Sequence, residues 1–131
     1  MTDIFTYMDK LVAETDGLRS IAVADRDGVA VLRAPQAANL QMSDLQSEQI
    51  LTTIFSLTTD QTTKVKLLGN CRSICLMHDD ATVLQGNFGP LVITLNAQRQ
   101  CHIAELTEVL QDLKEVLSQA KEVIAREIDN W

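Results

Sequence analysis

The strand-like stretch Leu18 to Ala24, apolar from Ile21 on, runs into the tetrapeptide Asp25-Arg26-Asp27-Gly28, and a second apolar run, Val29 to Leu32, leaves it. Asp-Gly between two such runs specifies a hairpin, because glycine tolerates positive φ and aspartate bonds its own backbone. The second strand must then return antiparallel beside the first. Asp79-Asp80 and Gly89-Pro90 interrupt later apolar runs in the same manner.

The segments between these turns read in order. Ile4, Met8, Leu11 and Val12 recur at helical spacing, predicting a short first helix followed by Gly17. Strands are expected over 18–24 and 29–33, then a loop from Pro35 to Met42. Ser43, with Asp44 and Leu45 after it, is expected as the N-cap region of a helix running from about Ser47 to Leu68. That helix carries Ile50, Leu51, Ile54, Phe55, Leu57, Val65, Leu67 and Leu68 in two adjoining stripes, wider than one sheet contact requires. Its frequent threonines give it only moderate helix propensity, so packing must hold it. Gly69-Asn70 ends it. Strands follow over Ser73–Met77, Ala81–Asn87 and Leu91–Leu95.

The last helix is the clearest. Ile103, Leu106, Leu110, Leu113, Leu117, Ala120 and Ile124 alternate steps of three and four, opposite a face of Glu, Asp, Lys and Gln. Trp131 beyond it is either a tail or a small docking anchor. The order α-β-β-α-β-β-β-α, joined mainly by hairpins, predicts an α/β chain of α+β type. It has one domain and a five-stranded antiparallel sheet, with helices on both faces.

Bulk properties narrow the functions. The 131 residues carry 11 basic and 18 acidic side chains, a net charge of −7 that repels phosphate backbones and anionic lipid. Direct nucleic-acid binding is therefore not expected, and no apolar run reaches the ~20 residues that span a bilayer. Thr2 stands where a myristoylation signal needs glycine, and no basic secretory flank precedes an apolar run. Any membrane address is expected from a partner. Three cysteines, an odd number, fit a reducing compartment.

Two chemical readings compete with plain turns. An apolar strand ending in Asp25-x-Asp27, a lysine at 64 or 66, and a second strand ending in Asp79-Asp80 imitate a magnesium-dependent aspartate phosphatase of the haloacid-dehalogenase type. That chemistry needs parallel strands with crossover helices, whereas both acidic pairs here sit in hairpins. Cys71, Cys75, His78, Cys101 and His102 suggest zinc. Four residues of extended strand span about 13 Å, too far for Cys71 and Cys75 to share one ion. No cofactor or metal is expected.

The second helix keeps one stripe, around Ile50, Ile54, Leu57 and Gln61, available for a partner. Strand 73–77 lacks the proline or inward charge that blunts a sheet edge. Together they suggest dimerisation by sheet extension. Proline at Ile74 would remove a ladder donor if that amide points outward.

These residues resemble the roadblock superfamily and, within it, the MEK-binding scaffold subunits (subunit three) of the late endosomal and lysosomal adaptor complex, Ragulator. The matching stretches are Gly17-Leu18 with Ile21, Val23 and Asp25-Arg26-Asp27-Gly28-Val29; Phe55, Leu57 and Thr59-Asp60-Gln61 with Lys64; Ser73-Ile74; and Val83, Gln85, Asn87 with Pro90-Leu91-Val92. They cover most of residues 17–96 in consistent order. The resemblance implies a non-catalytic scaffold that forms a heterodimer with a second roadblock subunit. Second helices pack antiparallel in such pairs, and third strands join the two sheets. On this chain the contact is expected at Leu51, Ile54, Phe55, Leu57, Thr58, Gln61, Thr62 and Val65, and at Ser73, Ile74, Cys75, Leu76 and Met77. The resemblance further implies a lipid-anchored subunit wrapping the pair on late endosomes and lysosomes, where it serves Rag GTPases, mTOR signalling and the kinases MEK and ERK. Roadblock regulators of another GTPase, or of dynein, are the alternative in the same class.

Overall fold

A computed structural model describes residues 4–35 and 42–121, with the side chains of 42–44 left out. The elements are α1 (Ile4–Glu14), β1 (Leu18–Asp25), β2 (Ala30–Ala34), α2 (Met42–Thr63), a 3-10 turn (Lys66–Leu68), β3 (Ser73–Met77), β4 (Thr82–Phe88), β5 (Leu91–Ala97) and α3 (Ile103–Gln119). All strands pair antiparallel in one sheet of order β2-β1-β5-β4-β3. The expected element order therefore holds. Ile124 and Trp131 lie outside the described residues.

The strands alternate between two unlike layers. On one side, Ile21, Val23, Leu84, Leu91, Ile93 and Leu95 meet Met8 of α1 and Leu106, Leu110, Leu113 and Leu117 of α3 in a closed aliphatic core. The 3.6-residue periods of both helices end on this layer. On the other side α2 crosses β3 and β5, over smaller or polar residues: Ala22, Ala24, Val83, Gln85, Val92 and Thr94. Gln85 is fully buried there and donates to the Leu51 carbonyl at 2.9 Å and to Thr94 Oγ1 at 3.1 Å.

The bounds of α2 correct the sequence reading. The helix begins at Met42, so Ser43 and Asp44 stand in its first turn instead of capping it. It stops at Thr63 instead of Leu68, and Val65 is extended (φ −79°, ψ 92°) before the 3-10 turn. Within the helix, threonine hydroxyls donate to carbonyls four residues back: Thr52 to Glu48, Thr59 to Phe55 and Thr62 to Thr58. This satisfies the hydroxyls of Thr52 and Thr59, which are buried against the sheet.

Candidate partner interface

Two stripes run along α2 with the same stepping. Glu48, Thr52, Phe55 and Thr59 face the sheet, whereas Ile50, Ile54, Leu57 and Gln61 lie two residues on, turned by about 200° to solvent. Ile50 is 59% exposed and Leu57 60% exposed, with Ile54 half-buried between them. A helix covering only its own sheet would not carry an aliphatic stripe on its solvent side. Phe55 is the correction within the expected contact set. At 0% exposure it wedges α2 onto the sheet and has no surface to offer a partner. Leu51 and Thr58 are half-buried on the flank of the stripe, and Thr62 and Val65 are exposed at its end.

Beside that stripe, β3 forms one edge of the sheet. Asn87 N–H donates to the Arg72 carbonyl and His78 N–H to the Ala81 carbonyl. Hydrogen-bonded pairs alternate along an antiparallel ladder, so Ile74 and Leu76 also turn their backbone groups toward β4. The amides of Ser73, Cys75 and Met77 point away from the sheet. Proline at Ile74 would therefore break the ladder to Gln85, and Cys75 is the position at which it removes an outward donor. Side chains alternate the other way. Ile74 and Leu76 lie on the α2 side with Gln85 and Val83, while Cys75 packs on the α3 core. Met77 is 73% exposed at the end of the strand.

The acidic turns shape the backbone. Asp25 Oδ1 accepts from the amides of Asp27 and Val29, both at 3.0 Å, and Gly28 has φ +89°. The Asp79-Asp80 turn closes with His78 N–H on the Ala81 carbonyl at 2.8 Å. Asp25 pairs with Leu91 at the start of β5, whereas Thr82, just after the second turn, pairs with Ala97 at its end. The two carboxylate pairs thus stand at opposite ends of the sheet, roughly 20 Å apart along the strands. They cannot share one magnesium ion, and the phosphatase arrangement does not form. Among the described residues no three His, Cys, Asp or Glu side chains cluster to hold a metal. Burial pushes the thiols of Cys75 and Cys101 above the usual range, with Glu105 and Asp16 adding to the effect at Cys101.

Two polar features escaped the sequence reading. Arg33 on β2 makes a two-pronged ion pair with Glu48 on α2, Nε to Oε1 at 3.1 Å, and this hydrogen bonding raises the guanidinium pKa. Lys114 on α3 is partly buried beside Arg72, so desolvation first and the neighbouring charge second lower its pKa. Neither pairing has a short-range sequence signal.

The five-stranded antiparallel sheet, with α1 and α3 on one face and α2 on the other, has the roadblock/LC7 fold. The Roadblock/LC7 domain from Streptomyces avermitilis superimposes with TM-score 0.76 over 92% of this chain and 99% of that one, at 16% identity. Myxococcus xanthus MglB does so with TM-score 0.74 over 94% and 98%, at 11% identity. At those identities the likeness concerns the fold.

Sequence carries the assignment further. The chain belongs to the family described as mitogen-activated protein kinase kinase 1 interacting, whose sequence model matches residues 2–124. A Drosophila melanogaster protein named Ragulator complex protein LAMTOR3 homolog is 32% identical over 79% of this chain and 81% of its own length. Ragulator complex protein LAMTOR3-B of Xenopus laevis is 34% identical over 82% and 86%. Membership of this family makes the chain a non-catalytic protein. No helix among the described residues is long and apolar enough to cross a membrane.

Proposed function

We propose that this chain is a scaffold subunit of a Ragulator-type complex that heterodimerises with a second roadblock subunit through α2 and β3. The observation that carries the reading is the aliphatic stripe Ile50–Ile54–Leu57, open to solvent at Ile50 and Leu57, near a strand whose outward amides at Ser73, Cys75 and Met77 have no partner strand among the described residues. Antiparallel packing of two such helices buries the stripe, and joining of two third strands completes the ladder. The contact set is Leu51, Ile54, Leu57, Thr58, Gln61, Thr62 and Val65 with Ser73 to Met77, and Ile50 added.

The names of the relatives support membership of the complex, and the description of the family supports a link to MEK. In this reading a lipid-anchored subunit wraps the pair and holds it on the cytoplasmic face of late endosomes and lysosomes. The pair then serves as a platform for Rag GTPases, and so mTOR signalling, and for MEK and ERK. Substituting Ile50→Asp together with Leu57→Asp places two charges in the buried seam. Light scattering should then show separate protomers of unchanged fold. A heterodimer of wild-type mass would refute the reading.

A further inference from the structure

The connection between α2 and β3 is unlike the rest of the molecule. From Gln61 to His78 there is no carboxylate, in a chain with 18 acidic residues, and Lys64, Lys66 and Arg72 fall within the stretch. The loop is closed at its base, where Cys71 N–H donates to Thr63 Oγ1 at 3.3 Å. Inside it, Leu68 N–H bonds the Val65 carbonyl at 3.0 Å, and Gly69 adopts φ +75°. These bonds fix a protrusion whose tip is aliphatic. Leu67 is 99% exposed, with Leu68 and Val65 exposed on either side.

The α3 layer adds a fourth cation. Leu110 lies over Gly86, which pairs with Ser73, and Lys114 follows one helical turn later beside Arg72. Two like charges thus meet at the start of the bare edge, with no anion against either among the described residues.

We infer that this basic, aliphatic protrusion receives an acidic, aliphatic segment of the partner subunit, the segment that directly follows the strand added to β3. The inference rests on the reading of α2 and β3 as the dimer surface. Direction supports it: a strand added antiparallel to β3 leaves the ladder at Ser73 and must pass Arg72 and the loop. Charge supports it as well, since carboxylates relieve the repulsion between Arg72 and Lys114 and meet Lys64 and Lys66. This chain's own turn after β3 is Asp79-Asp80, so the fold accommodates carboxylates at that place. Leu67 and Leu68 supply the apolar contact that water now covers.

The test uses the purified heterodimer with the second roadblock subunit. Carbodiimide joins an amine to a carboxylate only in direct contact. It should link Lys64, Lys66 or Lys114 to Asp or Glu residues following the partner's paired strand. Lys66→Glu with Arg72→Glu should slow association about tenfold at low salt and abolish its salt dependence. Leu67→Ser with Leu68→Ser should speed dissociation by about tenfold. All four residues are exposed, so unchanged thermal unfolding of each variant checks its fold. Unchanged rates and absent cross-links in a heterodimer that still forms would overturn the inference alone. Binding of the heterodimer to phosphatidylcholine–phosphatidylserine vesicles, lost in the same variants, would overturn it in favour of a membrane. If Ile50→Asp with Leu57→Asp leaves the pair intact, the underlying reading fails first.

Discussion

The two edges of the sheet are equally long and differently finished. β2 and β3 each have five residues and each closes one end of the order β2-β1-β5-β4-β3. β2 carries an irregular register against β1 between Val23 and Ala24, ties Arg33 to Glu48, packs against α1 and runs directly into Pro35. Those are devices that discourage strand addition. β3 has none of them: its side chains are Ser, Ile, Cys, Leu and Met, and its outward amides are unpaired by the sheet. Being terminal therefore does not make an edge adhesive. In the proposed pairing the finish of the strand does, together with the solvent-facing aliphatic residues of α2.

The largest effect should come from the residue that holds α2 across the sheet. Phe55→Ala empties a fully buried site and should cost about 3–5 kcal/mol in chemical denaturation, loosening the helix at both edges. Next, Cys75→Pro should weaken heterodimerisation at least roughly 100-fold in titration calorimetry while the protomer melts near its usual temperature. Ile74→Pro sharpens the contrast, because it breaks a bond inside the sheet and should destabilise the protomer by about 2 kcal/mol. Removing a device from the other edge should do less. Glu48→Ala frees a partly exposed arginine and should cost about 1 kcal/mol in urea unfolding, with pairing through β3 unchanged. The smallest change is expected at Asp25→Ala, which loses two turn hydrogen bonds for about 0.5–1 kcal/mol. Phosphate-ester turnover with Mg²⁺ that depended on Asp25 would break the account of that turn.

What the sequence made legible follows from which interactions are local. The Asp25–Gly28 hairpin, Ser73–Met77 and the stripe of α3 were readable because turn chemistry and periodicity act over a few residues. The β3 edge was readable from missing protective residues. The ends of α2 were not, since its threonines satisfy their hydroxyls inside the helix and blur the apolar pattern. Assigning Leu67 and Leu68 to helical stripes hid the protrusion they form. Phe55 falls among the expected partner contacts because helical spacing marks a face without saying which face the sheet covers. Arg33–Glu48, Gln85 beneath α2 and Lys114 beside Arg72 join residues far apart in the chain, which no local pattern announces.

Amide hydrogen exchange of the free chain against the heterodimer tests the asymmetry between the edges most directly. Ser73, Cys75 and Met77 should slow strongly on pairing, whereas Ile74 and Leu76, already bonded to β4, and the residues of β2 should change little. Unchanged exchange at those three amides, or protection gained along β2 instead, would contradict the account.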